Sequence, residues 1–155
     1  MPKPLWAPWR LEYVQQADEL DRCPFCDPEP ELLLHAGDVL VVLNKYPYSS
    51  GHLLVAPARH LPDFGALTDA EVVDVHRLAA RGLDALRAEY GPHGFNLGWN
   101  IGRVAGAGVE DHVHLHVVPR WNGDTSFMPV LGDVKVLPEA LRRTAERLRP
   151  HFTAG

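Results

Sequence analysis

The stretch His112–Pro119 carries three histidines that alternate with aliphatic residues, in the order HVHLHVVP. Alternation with a period of two is typical of a β-strand, in which residues i, i+2 and i+4 share one face. The pattern therefore predicts that His112, His114 and His116 stand in a row, about 6 to 7 Å apart. The residues between them would pack into the core on the other face: Val113, Leu115 and Val117. A core has no use for adjacent imidazoles, because each ring brings a donor and an acceptor that need partners, so the row indicates a metal site or a nucleophile.

The three imidazoles cannot easily all bind the same metal ion. On a strand the outer two lie about 13 Å apart, whereas a zinc–nitrogen bond is about 2 Å long, so one or at most two would bind. A neutral imidazole also attacks phosphorus well when its other nitrogen is hydrogen-bonded and the tautomer is fixed. His114 has a neighbour on each side and is best placed for this role. The glycine-rich turn before it, residues 102–108, could offer backbone N–H groups to an anion.

Cys23 and Cys26 are the only cysteines of the chain, and two residues separate them as in a zinc knuckle. Two further ligands would complete a closed tetrahedral site. The chain has nine histidines, so spacing alone does not choose between them. A thioredoxin-like redox pair would need a βαβ context that the predicted order of elements lacks. The pair therefore predicts structural zinc.

The predicted elements place these residues in a mainly antiparallel sheet. Strands are predicted at residues 32–35, 38–44, 52–57, 94–100 and 112–118, with Pro119 and the residues after it ending the last one. Strands outnumber helices without regular β–α alternation. The fold class is therefore α+β, with one long helix packed on the sheet and a C-terminal helix.

Capping and periodicity define the two predicted helices. Thr68 to Glu71 has the form of a capping box, so a long helix should begin there and run to about Tyr90. An apolar stripe at three- and four-residue steps would face the sheet: Val72, Val75, His76, Ala79, Leu83 and Leu86. His76 is accordingly expected to be a partnered core histidine and not a ligand. A basic helix is predicted from Pro138 to Arg149.

Length and charge limit the classes of partner. The 155 residues predict a single domain, 1–155, in which residues 1–22 form an arm whose Trp6 and Trp9 cover the domain or a partner subunit. A net charge of −5 gives no basic field for nucleic acid or an anionic membrane surface. No apolar run reaches the roughly 18 residues of a membrane span, and the N-terminal residues lack the apolar region of a secretion signal. We therefore expect a cytoplasmic protein that contacts neither nucleic acid nor membrane.

The HxHxHxx signature, matched by HVHLHVV, resembles that of the histidine triad family. The chain is most similar to the bacterial diadenosine tetraphosphate phosphorylase-like group, in the segments WAPWR, LNKYPYSSGHLLVAP, GFNLGWNIGRVAGAG, HVVPRWNGDTSFMP and KVLPEAL. The resemblance implies a histidine-triad fold and a homodimer that pairs through a sheet edge. It also implies cleavage of an adenine (di)nucleotide polyphosphate through a covalent nucleotidyl-histidine intermediate, resolved by water or by inorganic phosphate.

The resemblance assigns roles to individual residues. His114 would form the intermediate, His116 would donate to the phosphate or the bridging oxygen, and His52 would belong to the same network. Asn44 would hold the ribose hydroxyls, and Asn100 would lie near the phosphate or the leaving group. Independently of the resemblance, the glycine-rich turn is expected to offer backbone amides to a bound nucleotide at Gly106 and Gly108. In zinc-containing relatives the metal ligands correspond to Cys23, Cys26, His60 and His112.

Two departures from the family pattern bear on the reaction. Many relatives carry a Gln-Ser/Thr pair shortly before the triad, whereas this chain has Ala107–Asp111, which leaves the acceptor and leaving-group preference open. The third triad position is histidine and not glutamine, which weighs against hexose-phosphate transfer. Two other classes of function stay open: a nucleotide-binding sensor or scaffold with little turnover, and a metal-dependent phosphohydrolase with an open zinc site.

Overall fold

One antiparallel sheet of five strands organises the part of the chain that the structure, a computed structural model, describes. The described residues are 23–28, 31–105, 111–124 and 140–153. The strands are β1 (Leu32–Ala36), β2 (Val39–Leu43), β3 (Leu53–Pro57), β4 (Gly94–Trp99) and β5 (Leu115–Arg120), in the order β1-β2-β3-β5-β4. The α+β prediction is confirmed. The predicted arm 1–22, Gly106, Gly108 and Pro138 lie outside the described residues.

Helix α1 (Asp69–Tyr90) begins at the predicted capping box. The Thr68 hydroxyl accepts from the Glu71 backbone N–H at 3.1 Å, and the Glu71 carboxylate accepts from the Thr68 N–H at 2.9 Å. The helix ends at Gly91, whose φ of 56° lies in the left-handed region that glycine tolerates. Both ends therefore follow from local sequence.

The predicted buried stripe of α1 is partly wrong. The buried residues are Glu71, Val75, Leu78, Ala79, Gly82, Ala85 and Leu86. Val72 and His76 are exposed, so His76 is not a core histidine. The buried face is set by Val75, Leu78, Ala79, Ala85 and Leu86 and is centred about one residue earlier than predicted. It includes Glu71, a charged residue that the apolar pattern excluded, because its carboxylate accepts from Arg59 Nε at 2.7 Å.

Helix α2 (Leu141–Thr153) packs on α1 and β1, and extends past the predicted end at Arg149 with Pro150 inside it. Polar contacts fix it to α1. Glu89 accepts from Arg147 Nε at 3.1 Å and from His151 Nε2 at 2.7 Å. Neither helix has the length and apolar composition that crossing a lipid bilayer would require, within the described ranges.

Both faces of the central strands β2 and β3 are buried, which is why these strands read as continuous apolar runs. The face toward the helices carries Val39, Val41, Leu43, Leu53, Val55, Leu115 and Val117. On the other face Phe25 packs with Leu40, Val42, Leu54 and Ala56. His116 lies on that second face, since it is the register partner of Leu54. The functional side chains thus lie opposite the helical layer.

The histidine strand differs from its prediction at both ends. Regular pairing begins only at Leu115, so His112 and His114 precede β5 and do not lie on it. The Val113 N–H donates instead to the Leu61 carbonyl, at 2.8 Å, which holds this segment to the loop after β3. At the other end β5 continues through Pro119, whose carbonyl accepts from the Ser49 hydroxyl at 2.8 Å. Pairing with β3 ends at Val117, so the missing proline N–H breaks no ladder there.

Candidate active site and metal centre

His114 is held in one tautomer by the backbone. Its Nδ1 lies 2.8 Å from the carbonyl oxygen of His112. A carbonyl can only accept, so Nδ1 carries the proton, and in the neutral ring the lone pair is on Nε2. The side chain is 4% exposed, so this orientation is fixed by packing as well. A fixed neutral imidazole with its lone pair on Nε2 is what nucleophilic attack requires.

His52 and His116 form a hydrogen-bonded chain whose direction can be read from its first donor. The Tyr48 backbone N–H donates to His52 Nδ1 at 3.0 Å, so neutral His52 carries its proton on Nε2. That Nε2–H donates to His116 Nδ1 at 2.9 Å. His116 therefore carries its own proton on Nε2 and presents a donor there. Its ring centroid is 4.9 Å from that of His114, so donor and nucleophile are neighbours.

Two asparagines border this chain of imidazoles. The Asn44 amide nitrogen lies 3.3 Å from His52 Nδ1 and 3.4 Å from Nε2, and its Oδ1 accepts from the Tyr46 N–H at 2.9 Å. Asn44 is 4% exposed, so it contacts His52 from inside the protein. The Asn100 amide nitrogen lies 3.5 Å from His116 Nε2. Both atoms carry protons, so they do not bond to each other and both point donors at the space between them. Asn100 thus lies where a phosphate or leaving-group oxygen would meet His116.

The four expected metal ligands come together. Cys23, Cys26, His60 and His112 each place a donor atom within 4.8 Å of the others. Nδ1 of His112 is 3.3 Å from Cys23 Sγ and 3.9 Å from Cys26 Sγ, and Nδ1 of His60 is 3.4 Å from Cys26 Sγ. A tetrahedral zinc ion would separate sulfur and nitrogen ligands by about 3.6 Å, given bonds of about 2.3 and 2.1 Å. The cluster therefore has the dimensions and the donor set of a closed zinc site.

Protonation of the cluster also suits a metal. The His112 Nε2–H donates to the Pro57 carbonyl at 2.7 Å, which leaves the lone pair on Nδ1, the nitrogen that faces the sulfurs. Burial raises the pKa of the Cys23 thiol, but the contact with the His112 ring and hydrogen bonds from two backbone N–H groups outweigh it and lower the pKa to about 6. Burial and the adjacent Cys23 raise the pKa of Cys26. One sulfur is thus a thiolate near neutral pH, the form that binds metal.

Phe25 joins the two centres, and the sequence reasoning missed it. The ring lies between the cysteines in sequence, is 2% exposed, and has its centroid 4.9 Å from that of His112 and 4.8 Å from that of His114. The CPFC stretch could have predicted this contact, because an apolar ring between two metal-binding cysteines is expected to pack against other side chains near the metal. Tyr48 was missed as well, although its backbone N–H sets the tautomer of His52.

Arg59 and Glu71 support the segment that carries His60. Arg59 donates to both carboxylate oxygens of Glu71, at 2.7 and 3.1 Å, and also to the Ala66 carbonyl at 2.8 Å. The Arg59 hydrogen bond lowers the pKa of Glu71 to about 2, against burial, with help from the Thr68 N–H. The start of α1 is therefore tied to the residue next to a metal donor.

The structure thus brings together nine of the eleven predicted site residues, and Gly106 and Gly108 lie outside the described residues. The nucleophile, donor and supporting groups form one cluster, comprising His114, His116, His52, Asn44 and Asn100. The four metal donors form the other. Their roles in catalysis and metal binding stay predictions.

Comparison with known proteins gives matches over most of the chain. The HIT domain family matches residues 29–123. The chain is 35% identical over 158 residues to an AP-4-A phosphorylase of Mycobacterium tuberculosis, covering 93% of this chain and 81% of that protein. It is 30% identical over 109 residues to an adenosine 5′-monophosphoramidase of Schizosaccharomyces pombe, covering 70% and 78%.

Solved structures show the same fold. A hypothetical histidine triad nucleotide-binding protein of Sulfolobus tokodaii superposes with a TM-score of 0.68 at 26% identity, covering 84% of this chain and 91% of that one. A HIT family protein of Bacillus anthracis gives a TM-score of 0.60 at 29% identity, covering 84% and 92%.

Proposed function

Because this chain belongs to the HIT domain family, we propose that it transfers a nucleotidyl group from an adenine dinucleoside polyphosphate, through a covalent intermediate on His114. The observation that carries the proposal is the pair of fixed tautomers. His114 has its lone pair on Nε2, and the neighbouring His116 has its proton on Nε2. The His114 ring can therefore act as the nucleophile, while the His116 ring, 4.9 Å away between centroids, can donate a hydrogen bond to the leaving group.

In the first step His114 Nε2 attacks the α-phosphorus. A phosphorus–nitrogen bond forms while the bond from phosphorus to the bridging oxygen breaks, and the nucleoside polyphosphate leaves with the electron pair. His116 Nε2–H donates to the bridging oxygen and stabilises the charge that develops there. The His112 carbonyl, 2.8 Å from His114 Nδ1, stabilises the positive charge that the nucleotidyl-imidazole acquires.

In the second step an oxygen of phosphate or water attacks the same phosphorus. The phosphorus–nitrogen bond breaks and His114 recovers its lone pair. Phosphate as the acceptor gives a nucleoside diphosphate, whereas water gives a monophosphate. The relative named as an AP-4-A phosphorylase favours phosphate.

We also propose that Cys23, Cys26, His60 and His112 hold a structural zinc ion. The set has four ligands, which is typical of closed structural sites, whereas catalytic zinc keeps an open position. When bound, the metal would stabilise the fold by joining the Cys23–Cys26 turn to the segments before β5 and after β3. The set therefore favours a structural metal over a metal-dependent phosphohydrolase.

A homodimer through β4 is the assembly that we propose. β4 is the last strand in the described sheet order, so one of its edges has no neighbour among the described strands. Leu97 and Ile101 are 47% and 53% exposed in and just after this strand, and a second β4 would pair with the edge and cover them. Light scattering of the purified chain tests the mass.

Product analysis on diadenosine tetraphosphate tests the proposed reaction. With ¹⁸O-labelled inorganic phosphate we expect equal amounts of ATP and ADP, with the label in the ADP alone. Without phosphate we expect ATP and AMP if water can replace it. Tight binding without products would favour the sensor or scaffold, and two ADP molecules without added phosphate would place the attack on the wrong phosphorus.

A further inference from the structure

We propose that a groove beside the catalytic imidazoles binds the second nucleoside of the substrate, the one that departs with the leaving group. This inference rests on the proposed function and specifies its substrate class as dinucleotides. The groove is lined by Tyr48, Ser49, Asn96, Val118, Arg120 and Asp124. None of these side chains has a role in the steps described above.

The groove is continuous with the site along β5. His116, Val118 and Arg120 alternate along one strand and so share the sheet face, and Asn96 is the register partner of Val118 on β4. Arg120 lies about 13 Å along the strand from His116. The triphosphate and ribose of a leaving nucleotide are long enough to cover that distance. A base at the far end of the leaving group would therefore reach the groove.

Tyr48 gives the groove a rigid aromatic surface. Its ring stacks on the ring of His52, with centroids 4.8 Å apart and planes 16° apart. His52 is fully buried, whereas Tyr48 is 45% exposed. An exposed ring supported from behind by a buried ring is already ordered, so stacking of a base on it would cost little side-chain entropy.

Arg120 supplies a second planar group, and its partners define what it can bind. Its Nε and Nη2 donate to Asp124 at 2.6 and 2.9 Å, and its Nη1 donates to Asn96 at 2.7 Å. The carboxylate neutralises the guanidinium charge, and three of the five N–H groups, one on each nitrogen, already donate. Such an arginine attracts an anion less strongly than an unpaired one, and its flat face can stack on a neutral heterocycle. The groove therefore suits a nucleobase better than an anion.

The position also separates the groove from the other nucleoside. The ribose predicted to contact Asn44 lies at the end of β2, whereas the far wall of the groove lies on β5 and β4, on the other side of β3. The near wall, Tyr48, belongs to the turn between β2 and β3. Asn44 contacts His52, His52 contacts His116, and the groove continues from His116 along β5. A substrate with a nucleoside at each end of its phosphate chain would occupy both the ribose position and the groove.

Two substrates that differ only in the second nucleoside test the inference. The value of kcat/KM is measured for diadenosine tetraphosphate and for adenosine 5′-tetraphosphate, and their ratio is the readout. We expect Tyr48→Leu and Arg120→Met each to lower this ratio about tenfold, because stacking of a base on an aromatic ring is worth about that much. Tyr48→Phe keeps the ring and should keep the ratio, as should Arg142→Met, which removes an arginine of α2 far from the groove.

The possible results distinguish failure of the proposed nucleoside site from failure of the proposed reaction. An unchanged ratio in both Tyr48→Leu and Arg120→Met would overturn the groove as a nucleoside site. A parallel loss for both substrates would do the same, because it would show that Tyr48 acts only by positioning His52. Failure of the wild-type protein to turn over either substrate would instead contradict the proposed function.

Discussion

Replacing Glu71 by glutamine should destabilise the protein by about 2 to 3 kcal/mol at pH 7. The Glu71 side chain is only 5% exposed and accepts two hydrogen bonds from Arg59 and one from the Thr68 N–H. The hydrogen bond from Arg59 is the main cause of the lowered pKa, which is about 2 instead of 4.5. That difference corresponds to about 3 kcal/mol at 1.36 kcal/mol per pKa unit. The Arg59 side chain is 49% exposed, so solvent screening reduces the effect.

The contribution of Glu71 to the stability of the protein decreases as the pH falls. The folded-state pKa of Glu71 lies below its ordinary value of 4.5, so its contribution to stability is fully present above about pH 4.5. The contribution is lost as the pH falls from there toward 2, because the folded protein must then take up a proton at the cost of the ion pair. At pH 3 less than half of it remains, about 1 kcal/mol.

Urea unfolding of the wild type and Glu71→Gln at pH 7 and pH 3 provides the assay. Loss of any bound metal at pH 3 affects both proteins, so the difference between them isolates Glu71. Glu146→Gln is the matched control, since Glu146 is 55% exposed and pairs with Arg142 on the surface of α2, and it should change stability by less than about 0.5 kcal/mol. A Glu71→Gln difference that is equal at the two pH values would refute the reasoning.

Three further changes test the packing around the site. Gly51→Ala should destabilise the protein by about 2 kcal/mol, because φ is +85° and a Cβ would lie 2.7 Å from a leucine of α1. Gly37→Ala is the control, since φ is +59° but the space is open, and it should destabilise the protein about half as much in the same unfolding assay. Phe25→Leu should lower kcat severalfold with a smaller change in KM, since the ring that packs on His114 is lost; equal effects on both constants would argue against positioning. Cys26→Ser should lower the zinc content measured by mass spectrometry and the chelator concentration at which the protein unfolds; an unchanged zinc content would remove Cys26 from the site.

Local patterns predicted most of the scaffold. The capping box of Thr68 and Glu71 and the apolar runs of β2 and β3 all act through neighbouring residues, and the structure follows them. The side of α1 that faces the sheet was harder to predict, because its first buried position is Glu71, whose carboxylate pairs with Arg59, twelve residues earlier. A charged residue at a buried position is invisible to a pattern of apolar residues, and His76 was misplaced for that reason.

The resemblance predicted which described residues the structure brings together, but it did not predict how their rings are oriented. Strict alternation suggested three rings along one strand, but His112 and His114 precede β5. Tautomers depend on single carbonyl and N–H groups, those of His112, Pro57 and Tyr48, which only the folded backbone brings near the rings. The metal cluster likewise joins Cys23 to a histidine 89 residues away, a distance along the chain that no local spacing encodes.

The intact mass of the protein, quenched within the first turnover of diadenosine tetraphosphate, tests most directly that His114 is the nucleophile. We expect an added mass of one adenylyl group in the wild type, on the peptide that contains His114, and neither adduct nor product formation in His114→Ala. Wild-type turnover without any adduct, or full activity of His114→Ala, would contradict it.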